Sequence, residues 1–319
     1  FIGVARKGVL NQPVLVSNWT QFVENFGGFM ENSYLAYAVR QFFENGGNRA
    51  YIVRIAHYDS NIGGYTATAS TGQINDTGGV NPLISITAKN EGEWGDDISV
   101  EVVEVDAVDK NITLKIYDKD NLVEVYEKVP FSELEDTINR SSKFINILVP
   151  TSDLTNITIG KVKLSGGNDG LENLEDDDFI GDEAKGTGIY AFNNVDVNMI
   201  AIPGITSIPV QSALVSYVEK RENCIAILDS PLGHNVNELI NYIEEYENVL
   251  ASSYAVMYYP WIIANDPIGI GKSPTKLLPP SGAIAGIYAR IDNSRGVHKA
   301  PAGIEATILG AIDLEYTVT

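Results

Sequence analysis

The residues of this chain that could carry nucleophilic chemistry are few. His57, His234 and His298 are candidate bases, and Asp229-Ser230 and Ser281-Gly282 are candidate partners for a Ser-His-Asp triad. Such a triad is set by geometry, with the base within hydrogen-bond reach of the serine hydroxyl, and not by order along the chain. No G-x-S-x-G elbow occurs, and neither Ser230 nor Ser281 lies in a recognisable nucleophile motif. His234 stands in a Gly-His-Asn turn ahead of a predicted helix, where a surface histidine is the plainer expectation. Cys224 sits in the apolar run Cys-Ile-Ala-Ile-Leu. A reactive thiolate needs an electropositive, partly exposed setting, so Cys224 reads as a structural thiol. A lone cysteine also excludes an intrachain disulfide and a multi-thiolate zinc site.

Phosphate and metal chemistry find little more. Gly271-Lys272-Ser273 resembles the end of a phosphate loop, but Asp266 occupies the place of the loop's first glycine, and a carboxylate there would repel phosphate. Pro203-Gly204-Ile205-Thr206 cannot make the G-x-G-x-x-G turn of a dinucleotide site. The acidic run Glu172, Glu175, Asp176, Asp177, Asp178, Asp182 and Glu183 lacks the order that wraps oxygens around calcium, and reads as a solvated loop. The histidines show no spacing for a transition metal. No catalytic residue, metal site or cofactor is therefore expected. The remaining candidate is a basic cluster, Arg290, Arg295, His298 and Lys299, within YARIDNSRGVHKAPAG. Its two readings are a solvated helix end, where cations favour the dipole, and an assembly interface that pairs with acidic surface on a neighbouring copy.

Composition narrows the choice of partner. The formal charge is −20, from 42 Asp and Glu against 22 Lys and Arg, so neither nucleic acid nor an anionic membrane surface is expected to bind. No span approaches the roughly 20 apolar residues of a membrane helix. At 319 residues with 44% hydrophobic content, the chain can build two or three cores. It starts at Phe1 in what reads as mid-strand, suggesting trimmed ends.

Three regions must position these candidates. In residues 1–82, short strands at 1–5 and 14–17 precede a helix carrying Trp19, Phe22, Val23 and Phe26, with Asn18 as N-cap and Gly27 as stop. A second helix is predicted over 33–45 and a strand through Tyr51, Val53 and Ile55, while 60–79 reads as a loop. Residues 83–167 switch to period two, as in Ile98, Val100, Val102 and Ile112, Leu114, Ile116, which fits a β-sandwich or barrel. Residues 168–319 alternate strand and helix. Strands at 197–203, 224–228 and 254–259 are separated by helices carrying Val210, Leu214, Val215 and Val218, then Val236, Leu239, Ile240 and Ile243. That order predicts a parallel sheet with helices on both faces. A further helix is predicted from Pro280 towards Asn293, and Leu314, Tyr316 and Val318 alternate like a last strand. A parallel sheet would gather Pro203-Gly204, Asp229-Ser230 and Pro260-Trp261 beyond its strand ends, where open sheets bind ligands.

Several stretches, in order along the chain, resemble the tail sheath proteins of contractile phage tails and phage-derived injection particles. They are FIGVARKGVLNQPVLVSNWTQFVENFGG, SYLAYAVRQFFENGGNRAYIVRI, AKNEGEWGDDISVEV, LSGGNDG, VNMIAIPG, RENCIAILDSP, YAVMYYPWI and PPSGAIAGIYARIDNSRGVHKAPAG. The resemblance implies an α/β multidomain fold, with a subtilisin-like parallel-sheet core lacking the triad and an inserted β-sandwich. It implies a structural subunit, not an enzyme, that polymerises with copies of itself as stacked hexameric rings around an inner tube and contracts to drive the tube through the target envelope. Implied partners are the tail tube protein and the baseplate and tail terminator proteins, in a virion tail or phage-like particle assembled in the host bacterial cytoplasm. Family members usually carry an N-terminal arm before the FIGVA strand and a further C-terminal domain. The chain thus resembles a sheath core without them, which would polymerise poorly alone. Two other functions fit the residues: a hydrolase using the subtilisin-like region, or a glycan-binding module on the β-sandwich.

Overall fold

The computed structural model describes residues 1–151, 153–269 and 274–316. The fold is mixed α/β with several small sheets, and it divides into two compact units, Phe1–Ile55 with Asn173–Thr319, and Ala56–Glu172.

In the first unit the amphipathic helices form where capping and period agree. Trp19–Phe26 is capped by the Asn18 side chain, which accepts from the Gln21 backbone N–H at 2.9 Å, and ends at Gly27, whose φ of 82° suits glycine. It buries Phe22 and Phe26 beside Leu35–Glu44, which buries Leu35, Val39 and Phe42. The strand Ala50–Arg54 pairs parallel with Ile2–Gly3 and antiparallel with Val14–Val16. The backbone N–H of Ile2 donates to the carbonyl of Ala201 at 3.1 Å, just beyond a second sheet.

That second sheet is the parallel one the alternation predicts. Met199–Ile200, Ile225–Asp229 and Ala255–Tyr258 lie side by side, all parallel. Both faces are buried, and strand alternation separates them. Ile200, Ala226 and Leu228 enter one core with Val210, Leu214 and Val218 of helix Ile208–Arg221. Ala201 and Ile227 enter another core, with Ile284, Ile287 and Ile291 of helix Ser281–Arg295. That last helix packs on Leu35–Glu44 at two glycines: a Cβ on Gly282 would overlap the Ala38 carbonyl, and one on Gly286 would meet the Phe42 carbonyl at 2.5 Å. A three-stranded antiparallel sheet, Thr275–Leu278, Ile262–Asn265 and Ala311–Leu314, completes the unit. Leu314 is its last strand residue; Val318, expected to continue the alternation, lies outside the described residues.

The helix Val236–Glu245 departs from expectation. Its apolar residues at 236, 239, 240 and 243 would ordinarily form an inward stripe. Only Leu239 is buried, at 8% exposure, while Val236, Ile240 and Ile243 are 42%, 47% and 43% exposed.

The second unit wraps one core with two antiparallel sheets and the helix Leu134–Ser141. One sheet runs in the order Asn121–Pro130, Asn111–Asp118, Ile98–Asp106, Gly160–Lys163, and the other Ile145–Leu148, Pro82–Ala88, Thr71–Asn75. The inward positions of Ile98–Asp106, at 98, 100 and 102, are buried as their alternation predicts. The stretch 60–79, expected as a loop, supplies the strand Thr71–Asn75. Only Ile74 is apolar there, so no alternation marks it.

Candidate functional site

Two polar constellations lie in the first unit, at opposite ends of helix Ser281–Arg295. At its N-terminus the parallel strand Ile225–Asp229 delivers Asp229, 2% exposed, beneath the first turn. One carboxylate oxygen accepts from the Ser281 backbone N–H at 2.9 Å. The other accepts from the Ser281 hydroxyl at 2.8 Å and the Gly204 N–H at 3.0 Å. Burial pushes this carboxyl up to about 6, against the pull of those three donors. Around it, the Gln211 amide donates to the Asp229 carbonyl at 2.8 Å, and the Trp261 indole donates to the Ser230 carbonyl at 2.7 Å. The loops after all three parallel strands are thereby tied together at Gly204, Asp229-Ser230 and Trp261, as their order predicts.

The cluster is built to hold elements together. Ser281 is fully buried, its hydroxyl is committed to Asp229, and no partner of Asp229 is a histidine. His234 stands in its turn with its ring edge-on to Tyr242, centroids 6.0 Å apart. His298 is exposed beyond the helix end, and His57 belongs to the second unit, where its backbone N–H donates to the Gly170 carbonyl at 2.9 Å. Nucleophilic catalysis by a serine requires an adjacent base and access for substrate. Ser281 and Ser230 are both fully buried, so neither hydroxyl is open to substrate. The carboxylate also faces the positive end of the helix dipole, which favours it electrostatically.

At the other end of the helix, Arg290, Arg295, His298 and Lys299 divide into two pairs. Arg290 donates to the carbonyls of Glu305 and Thr307 at 2.9 and 2.8 Å. Arg295 makes two bonds to one Glu305 carboxylate oxygen, at 3.0 and 2.6 Å. These arginines fasten the segment 303–307 to the helix. His298 and Lys299 are exposed, and their side chains have no partner among the described residues. Beside them Val297 is 86% exposed and Ile304 94%. Arg295, His298, Lys299, Ala302, Ile304 and Glu305 line an open cleft of about 610 Å3. The sequence identifies the cations but not Glu305 or the two exposed apolar residues as their companions.

The other candidates are absorbed into structure. Cys224 is buried, which raises its thiol above the ordinary range. In the acidic run, Glu175 and Asp178 form the capping box of the short helix Asp176–Ile180, Asp176 accepts from the Ser207 hydroxyl at 2.5 Å, and Glu183 pairs with Lys220 at 2.7 Å. Among the described residues no group of three or more His, Cys, Asp or Glu could hold a metal ion, and no helix is long and apolar enough to cross a membrane. Gly271-Lys272-Ser273 lies outside the described residues.

Comparisons with known proteins bear on this arrangement. Residues 173–319 match the family model of the phage tail sheath protein central domain. No curated protein matches the chain in sequence. Among solved structures, a sheath tail protein from Listeria innocua superposes with a TM-score of 0.67 at 13% identity, over all of this chain and 60% of that one. A sheath tail protein from Desulfitobacterium hafniense gives 0.63 at 12% identity, over all of this chain and 63% of that one. The chain thus spans less than two thirds of the length of either protein. Residues 173–319 are thus similar in sequence to the phage tail sheath central domain, and the chain shares its fold with both sheath tail proteins.

Proposed function

We propose that the protein is a structural subunit of a contractile tail sheath, polymerising as stacked hexameric rings around an inner tube and contracting to drive the tube through a target envelope. The observation that carries this reading is the match of residues 173–319 to the sheath central domain. Within it, the first unit takes the part of a subtilisin-like core without catalytic function, and residues 56–172 that of a β-sandwich inserted into it. Support for a scaffold, rather than a hydrolase, comes from Asp229 and Ser281, whose polar atoms are spent on joining strand to helix.

The partners of such a subunit are copies of itself, the tail tube protein, and baseplate and tail terminator proteins. Its place is the tail of a virion or phage-like particle assembled in the host bacterial cytoplasm. Subunits that contact head to tail without closing on themselves generate a helical filament, and two packings of the same bodies give an extended and a contracted state. Arg290, Arg295, His298 and Lys299 belong to the assembly interface in this reading: the arginines shape the corner, and His298 and Lys299 present charge to a neighbour.

Electron microscopy of the full-length protein co-produced with a tail tube protein tests the proposal. Striated cylinders of two lengths are expected. Dispersed particles with no ordered polymer would overturn it.

A further inference from the structure

Among the described residues, the outward stripe of helix Val236–Glu245 is left partly exposed. Val236, Ile240 and Ile243 follow i, i+4, i+7 spacing, which places them on one side of the helix, and Leu232, 47% exposed, precedes them. A monomer gains nothing by turning three β-branched residues to water, so the stripe reads as a contact surface. Carboxylates border it. Glu244 lies one turn beyond Ile240, and Glu247 follows; both are exposed, and neither has an ion-pair partner among the described residues.

The corner at the end of helix Ser281–Arg295 has the complementary chemistry. Val297 and Ile304 are 86% and 94% exposed, and beside them stand the exposed His298 imidazole and the Lys299 ammonium group. On a chain of formal charge −20, a second copy is repelled by most of the surface. A place where apolar residues and cations coincide is therefore a preferred landing site for an apolar, acidic stripe.

The sheet fixes how the two surfaces are disposed. Tyr242 of helix Val236–Glu245 packs against the core on the Ala226 and Leu228 face, whereas Ile284, Ile287 and Ile291 of helix Ser281–Arg295 join the core on the Ile227 face. The stripe and the corner thus belong to helices packed on opposite faces of one parallel sheet. Resting on the sheath reading, we propose that the Val236–Ile240–Ile243 stripe of one subunit docks on the Val297–Ile304 corner of a second copy, with Glu244 and Glu247 facing His298 and Lys299. Such a contact joins two different patches, so each copy keeps a free stripe and a free corner, and the contact repeats without closing.

Cross-linking tests the contact. Ile240→Cys and Ile304→Cys are made in separate, differently tagged chains, both at exposed positions and with native Cys224 buried. Treatment of the mixture with a short bismaleimide is expected to give the mixed pair in excess of either variant alone. Lys299→Glu in the Ile304→Cys chain should lower that yield by about two- to fivefold, and Glu244→Lys in the other chain should restore it. Absence of an excess mixed pair, or a yield unmoved by both charge changes, overturns the contact. The two readings fail separately. Cylinders without the mixed pair leave the sheath function standing and remove this contact, whereas the mixed pair without cylinders does the reverse.

Discussion

The two ends of helix Ser281–Arg295 are both polar, yet the chain treats them in opposite ways. At the N-terminus a carboxylate, a hydroxyl and two backbone N–H groups satisfy one another away from water. At the C-terminus, Gly296 turns the chain at a φ of 94°, and cations and apolar side chains are left facing outward. The first arrangement resembles an active site in residue type but has the energetics of a joint. The second leaves Val297, His298, Lys299 and Ile304 exposed among the described residues. The difference shows that polar residues at sheet ends say little about chemistry until their partners are known.

Substitutions should divide along the same line. The largest effect is expected from Gly282→Val, because the added carbons would overlap the Ala38 carbonyl and force the two helices apart. A loss of about 3 kcal/mol or outright failure to fold is expected, read from urea denaturation. Next comes Asp229→Ala, which strands the buried N–H groups of Gly204 and Ser281. It should cost about 2–4 kcal/mol by the same measurement. If Asp229→Ala left stability untouched, the joint would not be one.

The pH dependence follows from burial. The folded-state carboxyl of Asp229, at about 6, lies above its ordinary value of 3.8, so folding favours its protonated form. Its stabilising contribution is complete below about pH 4 and is lost as pH rises through about 6. Urea midpoints measured from pH 4 to 7 should therefore fall more steeply for the wild type than for Asp229→Asn. Parallel profiles would place the carboxyl elsewhere on the scale. The smallest effect on stability belongs to the other end of the helix. Lys299→Ala should change the midpoint by an amount worth less than about 0.5 kcal/mol, while lowering the yield of assembled polymer. A destabilised Lys299→Ala monomer would contradict the division.

Much of the fold is legible in the residues themselves. Helix Trp19–Phe26 has its N-cap at Asn18 and its stop at Gly27, and the strands Ile98–Asp106 and Asn111–Asp118 alternate cleanly. The parallel order of the strands ending at Ile200, Asp229 and Tyr258 follows from the intervening helices. Other elements carry too little pattern. Leu134–Ser141 has only Leu134 and Ile138 as buried anchors, too few to mark a helix by periodicity. Met199–Ile200 is much shorter than the apolar run 197–203 that contains it.

The candidate sites are legible in type but not in consequence. The sequence displays Asp229 and Ser281, but their 52-residue separation hides the bond between them. It displays four basic residues near residue 295, but not the return of 303–307 that engages both arginines. The apolar positions of helix Val236–Glu245 are visible too. Their outward direction depends on the way Leu239 alone is drawn into the core, which is a property of packing.

The proposed assembly through the exposed corner requires that corner to be covered in the polymer. A helical reconstruction of the assembled polymer decides the matter. Residues 296–305 of each copy should be buried against the helix Val236–Glu245 of another, with the Asp229–Ser281 joint intact inside every subunit. A polymer in which both surfaces face solvent would contradict assembly through this contact.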